Sequence, residues 1–267
     1  MSADCGIWRI LPFTTGSAER QLAQTEALWR AVAAGEAPET LRWYGYDAPA
    51  VVLGVGQRET ALDQAACREA RTAVVRRASG GAAVLANGAM LALDVALPAA
   101  SPLAAADVVE SYRWLGMVLA DALRGLAPYE AGRIVLVGAA EARADQQAQQ
   151  AAQPRSAGAL RGLACFGTLS PYEVALARPD SAPPAKLVGL SQVRKRGVVL
   201  FQVGVYARWR GADLAGLLML APEERHALAG ELDRRIASLT EIGLGTVDLP
   251  ALMTAVNAGA TEALKRG

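Results

Sequence analysis

Lys186-Leu187-Val188-Gly189-Leu190-Ser191-Gln192-Val193-Arg194-Lys195-Arg196-Gly197 is the stretch on which the reading of this chain turns. It begins as an apolar run suited to a strand. In that form Lys186, Val188, Leu190 and Gln192 share one face. A lysine at the head of an apolar strand either snorkels to solvent or is partly buried with a task. A glycine inside the strand, Gly189, suggests close approach of a ligand or of another strand. Arg194-Lys195-Arg196 reads as the solvated tip of a hairpin. With residues 172–176 before it and 198–207 after it, the stretch makes an antiparallel meander.

Working outward, a second stretch of the same chemical kind lies at Arg76-Arg77-Ala78-Ser79-Gly80-Gly81, followed by Ala82 and Ala83. A strand delivers two arginines and then turns on Ser-Gly-Gly. Glycines permit positive φ and close backbone approach to a ligand, and the small Ala82 and Ala83 leave space. Two readings stand side by side. One is a plain Gly-Gly hairpin turn. The other is a site where main-chain N–H groups and a lysine grip an acyl or carboxylate oxygen. The stretch is not a phosphate loop, because GxxxxGK[ST] is absent. Gly54-Val55-Gly56 lacks the third glycine and the βαβ setting of a dinucleotide fingerprint.

The remaining segments supply a frame. Ser17 caps a helix that runs to about Gly35. Strands are expected at 41–46, 50–55, 73–77, 82–86, 90–97 and 133–137, with a short helix at 60–71. Residues 104–126 read as one long amphipathic helix. Residues 139–158, rich in Ala, Gln and Arg, read as a helical or disordered excursion outside the core. Residues 178–185, with three prolines, read as a surface loop. Helices at 212–220, 222–242 and 249–265 close the chain. Runs of strands interrupted by helices point to an α+β fold with a mixed sheet, read as a single catalytic domain over 1–267 with a flexible excursion at about 139–160.

At 267 residues the chain buries a full core. A net charge of +1 gives no overall pull toward nucleic acid or an anionic membrane. Cys5, Cys67 and Cys165 are too few and too scattered for a disulfide framework or a CxxC metal site, so no metal is expected and a reducing compartment is the default. Residues 1–11 lack the pattern of a signal peptide, and no stretch approaches a membrane span, which places the protein in the cytoplasm. The single histidine, His226, lies in a polar helical segment. Histidine triads and zinc sites are thereby set aside, and chemistry falls to Cys, Lys, acids, Arg or the backbone. Cys67 reads as an inward-packed helix residue and Cys5 as a terminal one. Cys165, in the apolar Leu163-Ala164-Cys165-Phe166, reads either as an inert core cysteine or as a nucleophile.

RR-x-S-GG-x-AV, followed about 110 residues later by K-[LIV]-x-G-x-[SA]-Q-x-R, resembles the lipoate–protein ligase A and octanoyltransferase family. Arg42-Trp43-Tyr44-Gly45-Tyr46, Leu53-Gly54-Val55-Gly56-Gln57 and Ala164-Cys165-Phe166 with Ser170-Pro171-Tyr172-Glu173-Val174 are similar to further stretches of it. The likeness runs from about Trp8 to Lys265. It implies the class II synthetase, biotin–lipoate ligase-like catalytic core, a mixed sheet flanked by helices with an acyl tunnel. It implies a catalytic Lys186 on the acyl carbonyl and, in the transferase branch, a catalytic Cys165 carrying the acyl group as a thioester. Arg76, Arg77, Ser79, Gly80, Gly81, Ala82, Gly189 and Gln192 would shape the substrate site. A nearby ammonium favours a thiolate and can stabilise the oxyanion formed in the attack.

The activity implied is transfer of an octanoyl or lipoyl group to the lysine of a lipoyl-domain protein. The donor would be an acyl-carrier or lipoyl-domain protein, and no cofactor would be required. An ATP-dependent ligase that forms lipoyl-AMP, with ATP and Mg, is the alternative. Ala82, Ala86-Asn87 and Val203 stand where the family often carries a glycine or arginine, a His-Asp pair and a histidine. A non-catalytic relative that binds acylated carriers is therefore a third reading.

Overall fold

A computed structural model describes residues 8–179 and 183–266. Cys5, most of the segment read against a signal peptide and the middle of the 178–185 loop lie outside the described residues. The elements in chain order are β1 (Arg9–Gly16), α1 (Ala18–Ala33), β2 (Thr40–Tyr46), β3 (Ala50–Leu53), α2 (Gln64–Glu69), β4 (Ala73–Arg76), β5 (Val84–Ala86) and β6 (Met90–Pro98). There follow α3 (Arg113–Leu126), β7 (Ile134–Leu136), α4 (Ala139–Ala151), α5 (Ala157–Leu160), β8 (Val174–Leu176), β9 (Ala185–Lys195) and β10 (Val198–Tyr206). Helices α6 (Gly211–Ala215), α7 (Pro222–Arg235) and α8 (Leu249–Arg266) complete the chain.

Seven strands form one mixed sheet in the order β1-β2-β6-β10-β9-β8-β7, and β4-β3-β5 form a second, three-stranded sheet. The expected meander β8-β9-β10 lies in the middle of the large sheet, with antiparallel pairing throughout. Central strands must be apolar on both faces when both are covered. Accordingly β6 carries Leu91, Leu93, Val95 and Leu97 into one cluster with α3 and α8. The even-numbered positions Met90 and Ala92 enter another with Tyr44, Tyr206, Phe166 and α7. The β9–β10 connection is a two-residue turn with Arg196 at φ 52° and Gly197 at φ 73°. This left-handed pair matches the twist of the flanking strands, so the hairpin tip is as expected. Ser17 accepts a hydrogen bond from the Arg20 N–H and caps α1.

Five segments depart from expectation. Strand β1, pairing parallel to β2 at the sheet edge, had no strong alternation to mark it. Helix α3 starts at Arg113, not at 104, because Asp107 accepts the N–H groups of Val109 and Glu110 and closes a turn instead. The preceding loop is then stapled to β9: Arg194 donates to the carbonyls of Ala105 and Ala106, and Gln192 to that of Val108. Helix α7 stops at Arg235 and α6 at Ala215. Past α7 the chain extends so that the Ala237 N–H bonds the Lys186 carbonyl, with Ile236 bridged parallel to Lys186. Residues 139–151 are helical, but they are not outside the core: Ala142 and Asp145 are buried.

Candidate active site

Lys186 stands near the start of β9 and is only 1% exposed. Opposite it, β8 and β9 slip register: Val174 faces Val188 while Ala175 faces Lys186, leaving Leu187 as an extra residue. A bulge of this kind re-aims side chains. The Lys186 ammonium meets the Glu173 carboxylate at 2.8 Å and donates to the Cys165 carbonyl at 2.9 Å. It also lies 5.6 Å above the Phe166 ring. Glu173 is as deeply buried as the lysine, and its other contacts are main-chain donors, Ser170 N–H at 2.7 Å and Leu190 N–H at 3.1 Å. Burial pushes the Glu173 carboxyl above the ordinary carboxylate range, and the lysine and the two N–H groups pull against that rise. Two buried charges pair because either alone would be far costlier.

Cys165 opens a 3-10 turn, Cys165–Gly167, after the extended Ala164. The turn is held from two sides. On one, the Cys165 N–H bonds the Ala83 carbonyl at 2.9 Å and the Ala83 N–H bonds the Leu163 carbonyl at 3.0 Å, a short parallel bridge. On the other, Arg161 grips the Gly167 carbonyl and forms a two-pronged pair with Asp145, both bonds 3.0 Å. Asp145 also accepts from Arg235 and from the Leu169 N–H. Burial pushes Asp145 up, but the Arg161 hydrogen bonds, the Leu169 N–H and the two guanidinium charges outweigh it and hold the carboxyl below its ordinary value.

The arginine–glycine stretch is not a hairpin turn, since β4 and β5 lie on opposite sides of β3. Residues 77–83 therefore cross the end of β3. Arg77, buried, donates to the carbonyls of Val52, Gly80 and Ala82 and reaches within 3.8 Å of Cys165 Sγ. Gly81 has φ +94°, and a methyl there would lie 3.4 Å from Cys165 Sγ. Gly54, at the end of β3, packs directly beneath: a methyl on it would overlap the Gly81 carbonyl. Arg76 turns outward to the carbonyls of Gly54 and Gln57. Ser79 is buried and donates to Gln202 at 2.7 Å.

Two cavities meet at Cys165. One is a narrow, mostly apolar slot of about 60 Å³ walled by Tyr44, Met90, Ala92, Phe166, Gly189 and Gly204, with Arg77 at its rim. Gly189 and Gly204 face each other across β9 and β10. A methyl on Gly189 would come within 2.8 Å of the Phe166 ring, so the pair makes room for that ring. The other is a polar cavity of about 400 Å³. Gly80, Gly81, Ala82, Lys186, Glu173 and Gln192 line it, with Tyr112 and the α4 glutamines Gln146, Gln149 and Gln150 across from them.

Of the residues expected at the site, Cys165, Lys186, Gly80, Gly81, Ala82 and Gln192 share the polar cavity, while Arg77 and Gly189 line the apolar one. Arg76 and Ser79 border neither of the two. Sequence reasoning missed Glu173, Tyr112 and Asp145. The signal for Glu173 was present: an acid directly ahead of the apolar β8 and a lysine in the apolar head of β9 imply a pair. Burial pushes the Tyr112 hydroxyl up to about 12, so it faces the cavity as a neutral donor. His226 is exposed on α7 and Cys67 is buried in α2, as expected. Among the described residues no cluster of three or more His, Cys, Asp or Glu could hold a metal ion. No described helix is long and apolar enough to cross a membrane. An arrangement of thiol, buried ammonium, carboxyl partner and apolar slot suits covalent acyl transfer.

Residues 17–260 match the family described as the lipoyl protein ligase A/B catalytic domain. The octanoyltransferase LipM of Kyrpidia tusciae is 32% identical over 260 residues, which span 96% of this chain and 87% of that protein. LipM of Moorella thermoacetica is 29% identical over 238 residues, 88% of this chain and 78% of its own. Among solved structures, the bipartite lipoate protein ligase of Thermoplasma acidophilum superposes with a TM-score of 0.69 at 20% identity, covering 97% of this chain and 83% of that one. A lipoate–protein ligase A bound with ATP gives 0.64 at 18% identity, covering 97% and 92%. These two likenesses are likenesses of fold.

Proposed function

Because this chain belongs to the lipoyl protein ligase A/B catalytic family, we propose that it is an octanoyltransferase that carries the acyl group on Cys165 and delivers it to the lysine of a lipoyl-domain protein. The observation that carries this reading is the position of Cys165, which borders both the apolar slot and the polar cavity. The acyl tail enters the apolar slot beside Phe166, and the thioester carbonyl rests beside Cys165 and Lys186. The cysteine sulfur attacks the donor thioester carbonyl. A carbon–sulfur bond forms to Cys165 and the one to the donor breaks, and the Cys165 proton leaves with the donor thiol. Lys186 stabilises the oxyanion of the tetrahedral intermediate; an ammonium has three donors, and Glu173 and the Cys165 carbonyl occupy two. The acceptor amine then attacks the acyl-cysteine, the carbon–nitrogen bond forms, and the nitrogen's proton goes to the departing Cys165 sulfur.

The test is intact-mass spectrometry after incubation with octanoyl-carrier protein, with and without ATP. The wild type should gain one octanoyl group without ATP, and Cys165→Ser none, since an alkoxide is far harder to form than a thiolate. An adduct on Cys67, or full transfer by Cys165→Ser, overturns the thioester route. Formation of an acyl adenylate from free acid and ATP, with no cysteine adduct, makes the chain a ligase instead.

A further inference from the structure

The chain carries 24 arginines and three lysines, Lys186, Lys195 and Lys265. Lys195 and Lys265 are exposed, and Lys186 is the buried one. Its partner Glu173 belongs to no part of the reaction described above, yet it is built into the site with unusual completeness. One of its oxygens takes the Lys186 ammonium and the Ser170 N–H, and the other takes the Leu190 N–H. With N–H donors on both oxygens, the carboxylate is the form these contacts satisfy. The ammonium it meets leans in turn on the carbonyl of the nucleophile's own residue. Glu173 therefore links three things: the end of the cysteine segment at Ser170, the β9 backbone at Leu190, and the ammonium that holds the Cys165 carbonyl.

We propose that Glu173 is a positioning residue that keeps Lys186 charged and fixed throughout the acyl transfer, so that Lys186 acts as a stationary cation and not as the base that takes the acceptor's proton. This inference rests on the acyl-transfer reading above. A lysine working as a base would have to give up its proton beside an ionised carboxylate. That would leave a buried negative charge with no counter-ion, the costliest arrangement available to the pair. The proton shed by the acceptor nitrogen goes instead to the Cys165 sulfur, which leaves as the carbon–sulfur bond breaks and needs one.

The groups facing the pair from the packed elements are few. They are the Cys165 thiol from the 3-10 turn, with Arg77 3.8 Å behind its sulfur, and the Tyr112 hydroxyl ahead of α3, with Arg194 beyond it. From the α7 side, Arg235 precedes the Ile236 bridge, but Asp145 occupies it. None of these replaces the negative charge of Glu173.

The experiment reads the lysine directly. In protein labelled with ¹⁵N-lysine and carrying Lys195→Arg and Lys265→Arg, the remaining side-chain signal is that of Lys186. Its titration is followed alongside the rate of Cys165 octanoylation from pH 6 to 10, in the otherwise wild-type background and with Glu173→Gln added. Removing the carboxylate leaves a buried ammonium unpaired, which favours its neutral form. The lysine titration should therefore move to lower pH in Glu173→Gln. Whatever the loss at pH 6, octanoylation by that variant relative to the parent should fall by about a further tenfold or more at pH 9, a limb the parent lacks. A merely structural role would lower the rate equally at every pH. An unmoved titration, or an equal loss across the range, overturns the proposal. Should Glu173→Gln fail to fold, the parent still decides: a Lys186 signal that loses its proton within the range where octanoylation proceeds at full rate overturns the proposal, and one that stays charged there supports it. If the parent forms no Cys165 adduct at any pH, the acyl-transfer reading falls, while the lysine titration still judges the ion pair.

Discussion

Gly54→Ala adds one methyl group to a residue that touches no substrate, and the structure gives its cost. The new carbon would overlap the Gly81 carbonyl oxygen and lie 2.9 Å from its carbon, with the Gly80 carbon at 3.3 Å. A carbon–oxygen contact settles at about 3.3–3.6 Å, so the loop must move by about 1 Å or more. It cannot move freely, because Arg77 holds the carbonyls of Val52, Gly80 and Ala82, and the Val55 N–H bonds Ser79. Overpacking of this kind costs about 1–3 kcal/mol, or about 2–4 °C of Tm per kcal/mol in a chain of this size. The larger effect falls on the chemistry: a displacement of about 1 Å beside the reacting atoms slows a reaction by about a hundredfold. Octanoylation of Cys165, timed by intact mass, should fall by about that factor while the melting curve stays cooperative. Gly56→Ala is the control, since nothing lies within 4 Å of a methyl there. If Gly54→Ala retains the rate of Gly56→Ala to within about threefold, the loop does not set the geometry of the thiol, and the argument for its close packing fails.

Lys186→Ala should lower transfer by about a hundredfold or more, as for loss of an oxyanion donor. Lys186→Arg should not restore it, because a planar fork cannot occupy a site that is 1% exposed and capped by Phe166; steady-state rates decide. Asp145→Asn leaves two buried guanidinium groups without their shared anion and should cost about 3–5 kcal/mol in denaturant melts. Because the folded protein holds the Asp145 carboxyl below its ordinary value, its contribution is full above about pH 4 and is lost as pH falls through the lowered value. The wild type should therefore lose stability on acidification in that window, and Asp145→Asn should show a flatter slope there. Gly81→Ala meets Cys165 Sγ at 3.4 Å from a strained, positive φ, so transfer should slow equally for short and long acyl chains. A loss that grows with chain length would place the tail against the glycine loop instead of in the apolar slot.

How much of this was legible in the chain depends on whether a signal is local. The β9–β10 hairpin could be read because apolar runs and an Arg-Gly turn are neighbours in sequence. The Ser17 cap and the helix it starts were legible for the same reason. The start of α3 was not: residues 104–112 have helical spacing, but Asp107 and the distant Arg194 and Gln192 win their carbonyls and N–H groups for other uses. The 139–151 helix looked like an excursion because its composition is polar. The charge that buries it, Asp145, finds its two arginines 16 and 90 residues away. Lys186 and Cys165 could be singled out as chemistry-bearing residues. That the lysine leans on the cysteine's carbonyl, with Glu173 beside it, follows from a register slip between β8 and β9 that no spacing rule foretells.

The short bridge between Ala83 and Ala164 joins two stretches that lie far apart in the chain into one unit of motion. The Ala83 and Cys165 amides each donate across it, so neither can be exposed to solvent while the other stays bonded in place. Local opening of the glycine loop and withdrawal of the cysteine are then a single event with a single free energy. Amide exchange at the two positions should share one rate and one denaturant dependence. A change that loosens either wall of the site would be felt as a loosening of both.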